Sequence, residues 1–335
     1  MSAQLIRLTA TDLPDIPDPL GWARALPGPC LIDLPGEDNS RCRAMVTLLH
    51  GNEPSGLMAI NAWLREQRHP PRTRLALIVA NLDAALNEPA FTHRQSPGER
   101  DLNRCFRPPW DDRPGRLAQS IIATLVDLAP EAVIDMHNTS GRSPAFAVSI
   151  LDDPRHRALA GLFSDHLVVT DLRLGALMDV AEHLFPTLTL ECGGAHQPAS
   201  HQVALHALAR LAGEDNLFGQ QPASGVPRVY HNPVRVELTD SARTRYGSEG
   251  AGLALREDIE DLNMTRVEPG ETLAQLSHGL ASLVARDHRG RSVLNELLTA
   301  DKNCLTPKRP VYLFMATPNV AIARSDCLFY LAPAD

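Results

Sequence analysis

The sequence predicts an α/β protein, with a sheet flanked by helices and a smaller β-rich domain after it. Up to about residue 215, branched apolar runs of strand length alternate with helix-period segments. Beyond that point the texture changes to prolines, glycines and short alternating strands. A chain of 335 residues with 44% apolar content is long enough to bury one large core and a second, smaller one.

Four apolar runs are expected as buried strands: Arg43 to Leu49, Arg74 to Ala80, Ala132 to Met136 and Thr187 to Leu190. A helical pattern from Pro54 to Arg68 follows the first. Another, from Pro114 to Leu128, precedes the third, with Leu117, Ile121, Leu125 and Leu128 on one stripe and Pro114 suited to the first helical position. After the fourth run, Ala199 to Leu211 carries Leu205, Leu208 and Leu211 at helical spacing. The polar, turn-prone segment Gly213 to Val226 marks the domain boundary, which gives domains 1–215 and 216–335. The second domain is expected to use strands at Pro233 to Thr239, Ala281 to Asp287, Pro310 to Thr317 and Cys327 to Ala332.

A formal net charge of −8 gives no field to attract phosphate backbones or anionic membranes, so nucleic acid is not an expected partner. No segment approaches the roughly 20 apolar residues that span a bilayer, and the amino terminus has no apolar stretch behind a basic start. A cytoplasmic location is the expectation. The six cysteines, Cys30, Cys42, Cys105, Cys192, Cys304 and Cys327, have no paired spacing and read as reduced, mostly buried thiols.

The chemistry-bearing residues sit at the ends of the four runs: His50 and Glu53 after the first, Asn81 after the second, His137 after the third and Glu191 after the fourth. Open α/β sheets bind ligands beyond the carboxyl ends of their strands, so these groups are expected to converge. His50 and Glu53 lie three apart in a turn eased by Gly51, and His137 adds a second imidazole. Two His and one Glu make a catalytic zinc set that leaves a position open for water. The plainer alternative for either histidine alone is an ordinary loop residue, since the chain has 13 of them. Glu191, followed by Cys192-Gly193-Gly194, is placed to act as a general base. Its alternative is a strand-end charge paired with an arginine. In Arg94 to Arg104, Asn103 with Arg104 forms a carboxylate clamp and a further arginine is available for an oxyanion; on composition alone the run reads as a solvated charged loop.

The ordered set HGNEPSG at 50–56, RDLNRCF at 100–106, DMHNTSG at 135–141 and LECGG at 190–194 resembles the succinylglutamate desuccinylase and aspartoacylase family over about residues 40 to 215. The resemblance implies a zinc-carboxypeptidase-like mixed sheet, one zinc ion per chain held by His50, Glu53 and His137, and Glu191 as the catalytic glutamate. It places Asn103 and Arg104 on the motif that binds the substrate carboxylate. Arg94 is the better match to the carbonyl-polarising arginine, with Arg100 as competitor. Val267 to Ala274 resembles a turn of a lipoyl-like sandwich, but no lysine sits at a modifiable hairpin tip, so the β domain is expected to be structural or to gate the site. Aspartoacylase has an arginine shortly before its catalytic glutamate for an acidic side chain; the interval Ala181 to Leu190 has none, with Arg173 and Arg142 as possible substitutes.

These readings converge on a zinc amidohydrolase acting on a small N-acyl amino acid such as an N-acetyl or N-succinyl amino acid. The rivals are a metallocarboxypeptidase of short peptides and a non-catalytic zinc-dependent binding protein. Assembly into a homo-oligomer is compatible with the sequence.

Overall fold

A computed structural model describes residues 4–67, 69–219, 225–248, 252–277, 279–287, 289–325 and 327–334. Within the segment Gly213 to Val226, residues 220–224 lie outside the described residues, as does Arg68 at the end of the first expected helix. The chain divides into two compact units: residues 1–138, 145–167 and 173–229, and residues 139–144, 168–172 and 230–335.

Among the described residues the larger sheet has strands β1 (Ile6–Leu8), β2 (Cys30–Leu34), β3 (Asp38–Thr47), β4 (Thr73–Val79), β5 (Val133–Thr139), β6 (Phe146–Ser149), β7 (His166–Val169), β8 (Thr187–Gly194) and β9 (Arg228–His231), in the order β1-β2-β4-β3-β5-β8-β6-β7-β9. Strand β3 is parallel to both β4 and β5, whereas β2 is antiparallel to β4, so the sheet is mixed. Its central strands are near-continuous apolar runs because both faces are covered; in β4 every residue but Arg74 is buried.

The helices are α1 (Pro19–Ala25), α2 (Ser55–Glu66), α3 (Leu82–Leu86), α4 (Arg113–Leu128), α5 (Pro154–Gly161), α6 (Leu177–Ala181) and α7 (Pro198–Gly213). In α4, Asp112 caps the start by accepting from the Gly115 N–H at 2.9 Å. Pro114 is its second residue, not its first, because Arg113 already begins the helix. The expected stripe of Leu117, Ile121, Leu125 and Leu128 is buried in one cluster with Val46 and Ile78 of the sheet. Truncating Leu125 to Ala there would cost about 2–5 kcal/mol. Fully buried Arg43 of β3 donates to the carbonyls of Leu211 (2.7 Å) and Glu214 (2.6 Å) at the end of α7 and pairs with Glu131 (2.5 Å). A cation is favourable at that helix terminus, and this contact fastens α7 to the sheet.

Where strands stop decides where the site forms. Strand β3 ends at Thr47, two residues before the expected Leu49, because Leu48 turns into the left-handed region with φ 56°. The other two site-bearing strands run past their expected ends. His137 lies inside β5 and Glu191 inside β8, where Glu191 pairs in register with Phe146 of β6. Neither residue follows its strand as the sequence reading had it.

In the second unit, β10 (Val234–Leu238), β12 (Arg266–Val267), β14 (Leu283–Arg286), β17 (Val311–Phe314) and β18 (Phe329–Pro333) form a five-stranded sheet in the order β12-β17-β18-β10-β14. Strands β11 (Leu253–Leu255), β13 (Ala274–Leu276), β15 (Leu298–Asp301) and β16 (Cys304–Pro307) form a four-stranded one. Each of the four stretches expected as strands falls on one, β18 running one residue past its expected end. Their inward residues, among them Val236, Val267, Leu298, Leu313 and Phe329, share one buried core. Gly270, at φ 86°, makes the turn between β12 and β13 that the sequence marked at Val267 to Ala274.

Candidate metal centre and active site

Residues 48–54 drop from the end of β3 into the start of α2 and carry His50 and Glu53. Gly51 is required there: a Cβ would come within 2.5 Å of the Ala84 and Ala85 backbone. Its N–H donates to the Arg94 carbonyl at 2.9 Å, which draws the Arg94 segment to the loop. Strand β5, beside β3, delivers His137, and β8, beside β5, delivers Glu191. Adjacent central strands thus bring together residues far apart in sequence.

One ligand atom each from His50, Glu53 and His137 lies within 4.8 Å of the others, and all three residues are buried. Glu53 bridges the imidazoles, with Oε1 2.8 Å from His50 Nδ1 and Oε2 2.7 Å from His137 Nδ1. The outer nitrogens face carboxylates: His50 Nε2 is 3.1 Å from Asp101 Oδ1, and His137 Nε2 is 3.0 Å from Asp135 Oδ1. A carboxylate behind an imidazole fixes the ring and makes its inner nitrogen more basic, the arrangement usual around metal-binding histidines. The donor set therefore fits a zinc ion, with two imidazoles and one carboxylate as ligands.

The electrostatics separate the carboxylates. Burial alone would raise Glu53, but the two imidazoles outweigh it and hold its carboxyl well below the ordinary range. Burial likewise opposes the charged form of Asp101, and His50, Arg94 and Arg104 outweigh it, so that carboxyl is also depressed. Burial disfavours the cation at His137, yet Asp135 and Glu53 push its pKa well above the usual value. Glu191 goes the other way, as burial pushes it up to about 7. Its Oε2 is buried and meets no donor among the described residues. Cys192 beside it is an inert thiol, raised far above its ordinary pKa by burial.

Arg94 donates to Asp101 Oδ2 through Nε (3.0 Å) and Nη2 (2.9 Å), and its Nη1 is 3.8 Å from Glu53 Oε1. Arg100 is engaged elsewhere, with Asp112 (2.6 and 2.8 Å) and the Pro109 carbonyl. Asn103 is buried, accepts from the Leu177 N–H at 3.0 Å and places Nδ2 3.4 Å from His137 Nε2. Arg104 donates to the Asn103 carbonyl at 2.8 Å. Asn81 occupies the N-cap position of α3 without a side-chain capping bond, and its backbone N–H donates to the Leu48 carbonyl at 2.8 Å. Arg142 pairs with Asp261, both within the second unit. The sequence reading gave Asp101 no role although it quoted the motif containing it; a carboxylate two residues before the clamp asparagine was the available signal.

Among the described residues no helix is long and apolar enough to cross a membrane. Residues 44–212 match the family model of the succinylglutamate desuccinylase/aspartoacylase catalytic domain. No curated protein sequence matches the chain. The crystal structure of a succinylglutamate desuccinylase/aspartoacylase from Rhodobacter sphaeroides is 16% identical, with a TM-score of 0.60 over 91% of this chain and 88% of that one. Murine aminoacylase 3 is 18% identical, with a TM-score of 0.58 over 89% and 96% of the two chains. A Vibrio parahaemolyticus succinylglutamate desuccinylase gives 14%, 0.60, and 94% of each. At these identities the structural likeness shows a shared fold.

Proposed function

Because the chain belongs to the succinylglutamate desuccinylase/aspartoacylase family, we propose that it is a zinc-dependent deacylase that cleaves the amide bond of a small N-acyl amino acid. The observation that carries this reading is the convergence of His50, Glu53 and His137 beside Glu191, a half-buried carboxylate with an enclosed Oε2 that is lifted towards neutral pH. Zinc held by those three residues would supply the Lewis acidity that acidifies water and polarises a carbonyl. Glu191 accepts the proton of the attacking water as its oxygen bonds to the amide carbon, then returns it to nitrogen as the C–N bond breaks. The products are a carboxylate and a free amine. Arg94, whose Nη1 is the guanidinium nitrogen nearest Glu53, stabilises the oxyanion; Arg100, committed to Asp112, drops to second choice for that role. Arg104 and Asn103 hold the substrate α-carboxylate so that attack takes place within one bound complex.

Two observations bear on the amino-acid side chain. The interval Ala181 to Leu190 holds no arginine, and Arg142 is already paired with Asp261. Arg173 is the remaining arginine that could meet an acidic side chain; we propose a neutral or basic side chain for the substrate, and turnover of N-acyl acidic amino acids would give Arg173 that role instead. The test is a hydrolysis screen of zinc-loaded protein against N-acetyl and N-succinyl derivatives of acidic, neutral and basic amino acids, with short peptides as a separate arm. Turnover concentrated in N-acyl derivatives of non-acidic amino acids, with about one zinc per chain, is the expected result. Preference for peptides would make the chain a carboxypeptidase, and bound zinc without any turnover would make it a binding protein.

A further inference from the structure

Asn138, next to the proposed ligand His137, carries no role in the reaction above, yet it is 3% exposed and both ends of its side-chain amide are hydrogen-bonded. Its Oδ1 accepts from the Ser55 N–H at 3.1 Å. That N–H is the first of α2, whose N-cap is Pro54 and which has no side-chain cap of its own. Helix α2 is therefore capped from a strand 83 residues away in sequence. The Asn138 Nδ2 donates to the Gly193 carbonyl at 2.9 Å, two residues after Glu191 on β8. The Asn138 backbone N–H donates to Glu53 Oε2 at 3.1 Å.

One buried residue thus touches the Glu53 carboxylate, the helix that begins two residues after Glu53, and the strand that carries Glu191. We propose that Asn138 is a positioning residue: its amide fixes the Glu53 loop against His137 and braces both against β8, so that the ligand set is assembled before the metal arrives. The inference rests on the metal-site reading given above. A preorganised site binds its ion without first ordering the loop, and outer partners of this kind are worth about 10- to 100-fold in metal affinity. The side chain acts through the start of α2 at Ser55 and through β8 at Gly193, while the contact to Glu53 itself is made by the backbone N–H.

The test is zinc affinity by competition with a chromophoric chelator, measured on the whole chain and needing no substrate. Asn138→Ala deletes the cap and the brace, and its zinc Kd is expected to rise about 10-fold or more. Asn138→Asp retains an oxygen for Ser55 and loses only the donation to Gly193, so its zinc Kd is expected to rise less than that of Asn138→Ala. Asn61→Ala is the control, since Asn61 is a buried amide on the same helix whose Nδ2 donates to the Ile16 carbonyl at 3.0 Å, away from the ligands; zinc affinity should not move. A change under threefold in folded Asn138→Ala, or equal losses in Asn138→Ala and Asn61→Ala, overturns the proposal. If Asn138→Ala does not fold, Asn138→Asp carries the test through its lost donation to Gly193: kcat on zinc-saturated protein should fall about 10-fold with KM unchanged, and an unchanged kcat overturns it. A parent chain that binds no zinc would instead refute the metal-site reading, so the two failures are distinguishable.

Discussion

Replacing Glu191 by Gln separates a proton acceptor from a structural carboxylate, because the two roles predict opposite changes in stability. Burial lifts this carboxyl from 4.5 to about 7, and its Oε2 meets no donor among the described residues. At about 1.36 kcal/mol per pH decade, ionising it in the folded, metal-free chain is roughly 3 kcal/mol less favourable than ionising it in the unfolded one. A carboxyl raised on folding contributes its full stability below the unfolded value, and that stability is lost as pH rises through about 7. Gln does not titrate. Metal-stripped Glu191→Gln should therefore be at least as stable as the parent at pH 8, with the advantage shrinking towards pH 5. Zinc-loaded, the same variant should lose about two to four decades of turnover, or ~3–5 kcal/mol of transition-state stabilisation. The assay is kcat, zinc content and thermal melts at pH 5 and 8 from one preparation. Near-parental turnover in folded, zinc-loaded protein would refute the general-base role, and a lower melting temperature at pH 8 in the stripped variant would show a lost ion pair instead.

Two further outcomes are expected. Arg104→Ala should weaken kcat/KM for substrates with a free α-carboxylate by about 10- to 100-fold more than for their amides, since a charged contact is lost in one case only; equal losses would remove Arg104 from the clamp. Away from the site, buried His156 has Nδ1 2.9 Å from Asp153 and Nε2 3.0 Å from Glu182, and although burial opposes it, the two carboxylates raise its pKa. That contribution is complete below about pH 6.5 and fades as pH rises through the folded value. His156→Gln should thus lower stability by about 3 kcal/mol at pH 6, with a smaller gap at pH 9; a gap independent of pH would show that packing alone is involved.

Much of the first unit was legible because its elements have clear periods. The expected runs at 43–49, 74–80, 132–136 and 187–190 each fall on a strand, and the helices around 54–68, 114–128 and 199–211 each fall on a helix. Strands β1, β2, β6, β7 and β9 were not expected; they are three to five residues long, against seven to ten for the four that were, and so short a run carries too little periodicity to read. Strand ends were misjudged where a single backbone angle decides them, as at Leu48. His50, Glu53 and His137, which the structure brings together, were singled out together with Glu191 because chemistry near strand ends is a local signal repeated along the chain. Asp101 and Asn138 were not, because their partners are remote: Asp101 meets a histidine 51 residues away, and the Asn138 N–H a carboxylate 85 residues away. Periodicity reports which face a residue takes, and it is silent on what that face meets.

The same limit applies to the two glutamates of the site. In the sequence, Glu53 and Glu191 are equivalent carboxylates, each in a Gly-containing segment at the end of an apolar run, and either could serve as ligand or base. Their surroundings divide them. Glu53 lies between two imidazoles whose charge outweighs its burial, so it stays ionised and suits a cation. Glu191 is half-buried, with its Oε2 enclosed and meeting no donor among the described residues, so its proton affinity rises to where a base can both take and return a proton near neutral pH. When two like groups in one site are pushed to opposite sides of their common pKa, the acid–base assignment follows from the environment. The tie from Asn138 to both segments fixes the geometry on which that division depends: were the Glu53 loop to shift away from His137, the carboxylate would keep His50, which moves with it, but lose the second imidazole that helps keep it ionised, and the distinction between ligand and base would narrow.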